Sequence, residues 1–333
     1  LYFFGLGSHV DHFFDDPSSR GWIEGLSSLG RLIVFDRRGT GASDRVPHDG
    51  VPTWEQWADD VVAVLDAVGS ERAAIFAALD AGPIAMLVAA LHPQRVSALI
   101  LANTFARYLA DDDYPIGASR EEMERVLRGV ERLWGTEDLT ALINPALADD
   151  REFTRENARR LRASATPRAA VSQYRYILER DARAVLPVIQ APTLVLHTSR
   201  NPVFPLAHGR YLADHIAGAR LLEFPGAGVM FDDGQGGAVL ADVSEFLTGH
   251  RPAREIDRLW VTVLLTDIVA STEHVVALGD RRWRALLDSH DRAVREQLDA
   301  FDGREIRSTG DGFLAVFDGP GRAVRCAQAI TDS

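Results

Sequence analysis

Residues 73–91, Ala73-Ala74-Ile75-Phe76-Ala77-Ala78-Leu79-Asp80-Ala81-Gly82-Pro83 and on through Ile84-Ala85-Met86-Leu87-Val88-Ala89-Ala90-Leu91, form the longest apolar run of the chain, and its division decides the fold. Undivided, it has roughly the ~20-residue length of a membrane span. Asp80 near its middle and Gly82-Pro83 beside it break that reading. The run becomes a buried strand, Ala73 to Ala77, a turn, and a buried helix, Ala81 to Leu91. Moving outward, Leu1 to Phe4 reads as a strand entering the Gly5-Leu6-Gly7 turn, and Arg31 to Asp36 as the next strand, followed by Arg37-Arg38-Gly39-Thr40-Gly41. Thr53-Trp54-Glu55-Gln56 has the spacing of a capping box and opens a helix through Val68; Ser97 to Ala102 is a further strand. Strands alternating with helices at these lengths predict an α/β fold with a doubly wound, mostly parallel sheet.

Between residues 105 and 186 the strand pattern gives way to charged helices, among them one opened by the capping box Ser119-Arg120-Glu121-Glu122, which predicts a helical cap inserted into the sheet. The sheet resumes with Thr193 to His197, a helix from Leu206 to Ile216, a strand from Arg220 to Phe224 and a helix from about Ala238 to Leu247. This half, with Phe35-Asp36-Arg37-Arg38-Gly39-Thr40-Gly41-Ala42-Ser43-Asp44 after a core strand, resembles the α/β-hydrolase family. The resemblance spans residues 1–249, with the first strands of the fold expected to lie before residue 1.

That resemblance implies a nucleophile at the turn after Ala73 to Ala77, an acid after Thr193 to His197 and a histidine after Phe224-Pro225-Gly226. The three positions fall on Leu79, about Asn201 and about Val229. None of these side chains can act as nucleophile, orienting acid or general base, so a hydrolase-like domain without triad chemistry is expected. Asp80, one place beyond Leu79, is read as the cap of the helix that begins near Ala81, with nucleophile as its rival role. His9 and His12 with Asp11, Asp15 and Asp16 match no metal-site spacing and read as a polar loop opening a helix. His197, His208 and His215 read as partly buried histidines that need only a hydrogen bond.

Residues 250–257, with a proline and mixed charge, read as a linker to a second domain at 258–333. Arg258 to Asp267 is a nearly continuous apolar strand, expected to be covered on both faces. Ser271 or Thr272 is expected to cap an amphipathic helix with Val275, Leu278, Trp283, Leu286 and Leu287 on one side. Glu305 to Thr309 and Phe313 to Phe317 form a hairpin around Gly310-Asp311-Gly312, and a helix begins near Pro320. The hard carboxylates Asp267 and Asp311, each at a strand end, suit Mg²⁺ or Mn²⁺.

Leu265-Thr266-Asp267-Ile268-Val269-Ala270-Ser271-Thr272, Gly279-Asp280-Arg281-Arg282-Trp283 and Ser308-Thr309-Gly310-Asp311-Gly312-Phe313 resemble the catalytic domain of the class III adenylate and guanylate cyclases. The resemblance implies a truncated, ferredoxin-like α+β domain that works as a homodimer. It implies that Asp267 and Asp311 hold two divalent ions, Mg²⁺ or Mn²⁺, with the backbone carbonyl of Ile268 as a further ligand. The peptide N–H groups of Val269, Ala270, Ser271 and Thr272 would receive the triphosphate of ATP, or of GTP, and Arg307 would face the base in place of a lysine. Asp267 and Asp311 would then be catalytic, the reaction being attack of the ribose 3′-hydroxyl on the α-phosphorus to give cyclic AMP and pyrophosphate. The family's transition-state asparagine and arginine are expected beyond residue 333.

Composition narrows the rest. With 46% hydrophobic and 25% charged residues the chain is globular, not disordered, and 333 residues leave room for two domains. A net charge of −12 repels a phosphate backbone, so nucleic acid is excluded as the expected partner. The single cysteine, Cys326, reads as a small buried side chain and excludes an intramolecular disulfide, consistent with a reducing cytoplasm; no membrane partner is expected. The sequence thus points to a cytoplasmic nucleotidyl cyclase with a regulatory hydrolase-like domain. Two alternatives stand beside it: an inactive module that binds a small apolar ligand under the cap, and an esterase.

Overall fold

The computed structural model describes residues 1–47, 49–231, 234–251, 262–308 and 310–332. Contacts gather into two units, Leu1–Ala253 and Arg254–Ser333. The first unit begins with β1 (Tyr2–Phe3), α1 (Val10–Asp15), α2 (Arg20–Ser28), β2 (Val34–Phe35), α3 (Trp54–Ala67), β3 (Ala73–Ala78), α4 (Gly82–Leu91) and β4 (Val96–Ala102). Four helices follow, α5 (Arg120–Leu133), α6 (Glu137–Ile143), α7 (Arg151–Ser164) and α8 (Pro167–Leu178), and then β5 (Thr193–Thr198), α9 (Leu206–His215), β6 (Arg220–Phe224) and α10 (Gly236–Thr248). The strands pair in parallel in the order β2-β1-β3-β4-β5-β6.

Side-chain alternation along the central strands makes the sheet two-sided. Ile75, Ala77, Leu99, Leu101 and Val195 point to one face, where Trp57 and Val61 of α3 and Ile84 and Val88 of α4 cover them. Phe76, Ala78, Ile100, Ala102, Leu194 and Leu196 point to the other, beneath Leu26 of α2 and Val239 and Val243 of α10. A strand buried on both faces needs an unbroken apolar run, which Ala73–Ala78 supplies. Both capping boxes form: Thr53 with Gln56 opens α3, and Ser119 with Glu122 opens α5. The strand expected over Arg31 to Asp36 shrinks to Val34–Phe35, because its partner among the described residues, β1, offers two paired residues before the chain turns at Gly5. Helices α5 to α8 form the expected cap, and Val130, Trp134, Leu139 and Leu161 pack on Leu6 from the loop after β1.

The second unit holds β7 (Thr262–Asp267), α11 (Ser271–Ala300), β8 (Arg304–Ser308), β9 (Gly312–Phe317) and α12 (Pro320–Asp332), with the strands antiparallel in the order β7-β9-β8. This is a small three-stranded sheet; a ferredoxin-like cyclase domain is not shown by it. Val294 and Leu298 of α11 and Ala323 and Cys326 of α12 cover Phe313, Ala315 and Phe317. Most of the linker (252–257), residues 258–261 and Thr309 lie outside the described residues.

Two expectations fail in this unit. β7 is not covered on both faces: it is an edge strand, and Val263 and Leu265 stay 53% and 71% exposed while Leu264 turns toward the core. Neither Ser271 nor Thr272 caps α11; Ala270 does so in a left-handed conformation (φ 56°) with no side-chain cap, and Gly279 (φ 70°) breaks the helix. The stripe expected on α11 divides accordingly, with Trp283 buried and Leu286 46% exposed.

Among the described residues no helix is long and apolar enough to cross a membrane. Leu265→Lys is expected to change the opening free energy of β9 by no more than about 0.5 kcal/mol, whereas Phe313→Ala, in the covered face, lowers it by about 3–5 kcal/mol. Native-state hydrogen exchange of the β9 amides reads both, and a large loss in Leu265→Lys would show that the exposed face is covered in solution.

Candidate functional site

β3 leaves the sheet through Ala78 in extended conformation, and Leu79 turns left-handed (φ 54°) into a single turn that leads to α4. For a residue with a Cβ this costs about 1–2 kcal/mol. Two contacts hold it: Thr104 Oγ1 donates to the Leu79 carbonyl at 2.5 Å, and Gly82 lies so close to the Thr104 side chain that no Cβ would fit. This is the strained strand-to-helix elbow that presents a nucleophile in hydrolases of this shape. The presenting position carries Leu79, whose side chain has no atom able to attack a carbonyl.

The next residue departs from its expected role. Asp80 does not cap α4, whose N-cap is Ala81 with no side-chain bond. It is 2% exposed and turns back to the loop after β1, where Leu6 N–H donates to Oδ1 and Oδ2 at 3.1 Å each. Arg37, 1% exposed, donates from Nη2 to Asp80 Oδ2 at 3.0 Å, and its guanidinium carbon lies 4.6 Å from the centre of the Trp57 ring. Sequence reading missed this pair. Its one local signal was a charge at the heart of an apolar run, which needs an opposite charge to be buried at all. Asp36 fixes the Arg37 loop by accepting from Val10 N–H at 3.2 Å and Ala42 N–H at 2.9 Å.

At the acid and base positions, neutral groups do the joining. Asn201 accepts from Val203 and Phe204 N–H at 3.0 and 2.9 Å and donates to Thr198 Oγ1 at 3.2 Å. Thr198 Oγ1 donates to the Gly228 carbonyl at 3.0 Å, and the wholly buried Asn103 donates to the Val229 carbonyl at 2.9 Å while accepting from Thr198 N–H at 2.8 Å. Amides and a hydroxyl thus tie the ends of β4 and β5 to the loop after β6, and among the described residues at these positions none can move a proton from a nucleophile. His197 and His208 each find the expected hydrogen bond, although they are fully rather than partly buried: His197 Nε2 pairs with the Phe204 carbonyl at 2.8 Å, and His208 Nδ1 with the Tyr114 hydroxyl at 2.9 Å. Burial lowers the His197 pKa and lowers that of His208 to about 4.

Above the elbow, Trp134 and Leu161 of the cap approach Gly7, and the hydroxyl of Tyr174 on α8 is pushed up first by burial and then by the nearby Asp80 charge. A cleft of about 370 Å³ opens between the Asp16-Pro17-Ser18 loop and α7, lined also by His12, Asn157 and Arg160.

In the second unit, Asp267 pairs with Gly312 across β7 and β9, so Asp267 and Asp311 stand at the same end of the sheet. Ser271 Oγ donates to Asp311 Oδ2 at 2.7 Å, and the Ile268 carbonyl accepts from Ser271 N–H at 3.3 Å. Val269, Ala270 and Thr272 are exposed, and Arg307 is exposed on β8 opposite Leu314. Among the described residues no group of three or more His, Cys, Asp or Glu side chains could hold a metal ion.

A family model described as the alpha/beta hydrolase fold matches residues 5–231. The pimeloyl-[acyl-carrier protein] methyl ester esterase of Chromobacterium violaceum is 29% identical over 206 residues, 61% of this chain and 78% of that protein. Strigolactone esterase D14 of Arabidopsis thaliana is 25% identical over 198 residues, 58% of this chain and 73% of that protein. A hydrolase from Pseudomonas aeruginosa superposes with a TM-score of 0.61 at 25% identity, over 74% of this chain and 89% of that one. These relatives are esterases and hydrolases, and they overturn the reading of the chain as a nucleotidyl cyclase that turns over ATP.

Two outcomes test this geometry. Arg37→Met leaves Asp80 buried without a counter-charge and is expected to cost about 3–5 kcal/mol in urea unfolding, most of it recovered by Arg37→Met/Asp80→Leu. For His208, the folded pKa of about 4 lies below the ordinary 6.5, so the unfolded chain takes up the proton first. Its stabilising share is present above pH 6.5 and is lost as pH falls toward 4, by on the order of 3 kcal/mol. Unfolding free energies at pH 7 and pH 4.5 are expected to differ less in His208→Gln than in the unaltered protein.

Proposed function

The chain belongs to the alpha/beta hydrolase fold family, and on that premise we propose that its first unit binds a small carbonyl compound with an apolar body beneath the cap, without forming an acyl-enzyme. The observation that carries this reading is Leu79 in the left-handed elbow, where a nucleophile would have to stand. Asn201 and the backbone around Val229 supply hydrogen bonds at the two remaining positions but no acid and no base. A carbonyl ligand follows from two supports. The relatives carry the names of esterases, and the Leu6 N–H, which here donates to Asp80, belongs to the loop that in such folds offers a donor to a substrate oxygen. The apolar body matches Trp134, Leu161 and Leu139 of the cap, which close over Leu6 and must part from it to admit a ligand.

The second reading is hydrolysis, favoured by the relatives' names alone. Incubation of purified protein with p-nitrophenyl acetate is expected to release p-nitrophenol no faster than buffer, and a fluorophosphonate probe is expected to leave the intact mass unchanged. Thermal unfolding in the presence of short esters and lactones is expected to shift upward. Enzymatic turnover that survives repeated purification would replace the binding reading with hydrolysis, and the absence of any thermal shift would remove it.

A further inference from the structure

The Asp80 side chain adopts the pose of a bound carboxylate: both oxygens accept from Leu6 N–H, and Oδ2 accepts from Arg37 as well. We infer that the Leu6 amide and the Arg37 guanidinium form a carboxylate-recognition site, that Asp80 is its internal occupant, and that the ligand is a small monocarboxylate with a short apolar tail. The inference rests on the ligand-binding reading above and narrows its chemical class.

Three observations carry it. Arg37 is 1% exposed, yet among the described residues its Nε and Nη1 have no hydrogen-bond partner, so the buried guanidinium offers more donors than Asp80 uses. Asp80 takes one bond, from Nη2, and with Asp80 removed Nη2 and the Nε beside it present a fork for a bidentate carboxylate. Gly5 has no Cβ where one would run into the Asp80 carboxylate, so the backbone leaves room for an anion at this point. Leu6, whose N–H is the donor, packs its side chain among the cap residues Trp134 and Leu161, which places apolar surface within one residue of the anion. A head of one charge and a tail of a few carbons fit that juxtaposition; a neutral ester would forgo the charge-assisted bonds to Arg37.

Asp80 is tethered, so it competes at high effective concentration and keeps the affinity of the unaltered protein low. Removing it should uncover the site. In Asp80→Gly of the full chain, acetate is expected to raise the thermal midpoint saturably, by about 4 °C at ten times its dissociation constant. Acetamide and chloride at equal concentration are expected to leave it unchanged. The unaltered protein should respond at least three-fold less, and Arg37→Met/Asp80→Gly should no longer separate acetate from acetamide. Should Asp80→Gly fail to fold in chloride, Asp80→Ala is refolded in acetate and in acetamide: recovery in acetate alone supports the site, and recovery in neither overturns it. An equal response to acetate, acetamide and chloride overturns it too. If methyl acetate stabilises the unaltered protein while Asp80→Gly ignores acetate, the carboxylate site falls and the carbonyl-binding reading stands. If the purified protein hydrolyses the ester, that reading falls instead.

Discussion

An aspartate and an arginine, each nearly sealed from water, face each other across the carboxyl ends of β1, β2 and β3, and the surrounding loops are arranged to let them do so. Neither charge could remain in this interior alone, since removing one partner of such a pair leaves the other uncompensated. The loop after β1 must therefore bring Leu6 to Asp80, and the loop after β2 must turn Arg37 inward under Trp57. Asp36 fixes that second loop through its bonds to Val10 and Ala42, and Gly41 lies against its carboxylate where a side chain would not fit. Four segments of chain thus converge on a single ion pair.

What the sequence made legible was whatever repeats locally. The run from Ala73, the capping boxes at Thr53 and Ser119, and the strands at Thr193 and Arg220 are short-range patterns, and each formed close to where its pattern placed it. The positions of Leu79, Asn201 and Val229 were legible for the same reason, being counted from the ends of strands. The contacts that define the site were not. Arg37 and Asp80 are 43 residues apart in the chain, Asn103 and Thr198 are 95 apart, and no spacing rule joins such pairs. Asp80 was misjudged because an aspartate ahead of a helix is ordinarily a cap. Here the elbow turns it the other way.

The second unit shows how a local pattern can mislead. Its hairpin and both helices formed, yet the apolar run Val263-Leu264-Leu265 did not mean burial on both sides, because β7 ended at a sheet edge with helices on one face only. The motif resemblance that suggested a cyclase rested on this unit, while the family match and the relatives lie with the first. Motif phrases record what a segment looks like; a domain-length match records what the chain folds as.

A leucine held at φ 54° is a standing debit in stability, and a turn with no nucleophile to present has no evident reason to keep it. The same torsion, however, swings the following residue off the helix axis and toward Leu6 and Arg37. The kink serves as a jig for its neighbour: the turn aims a carboxylate, and relaxing Leu79 would misdirect Asp80 before it disturbed anything else.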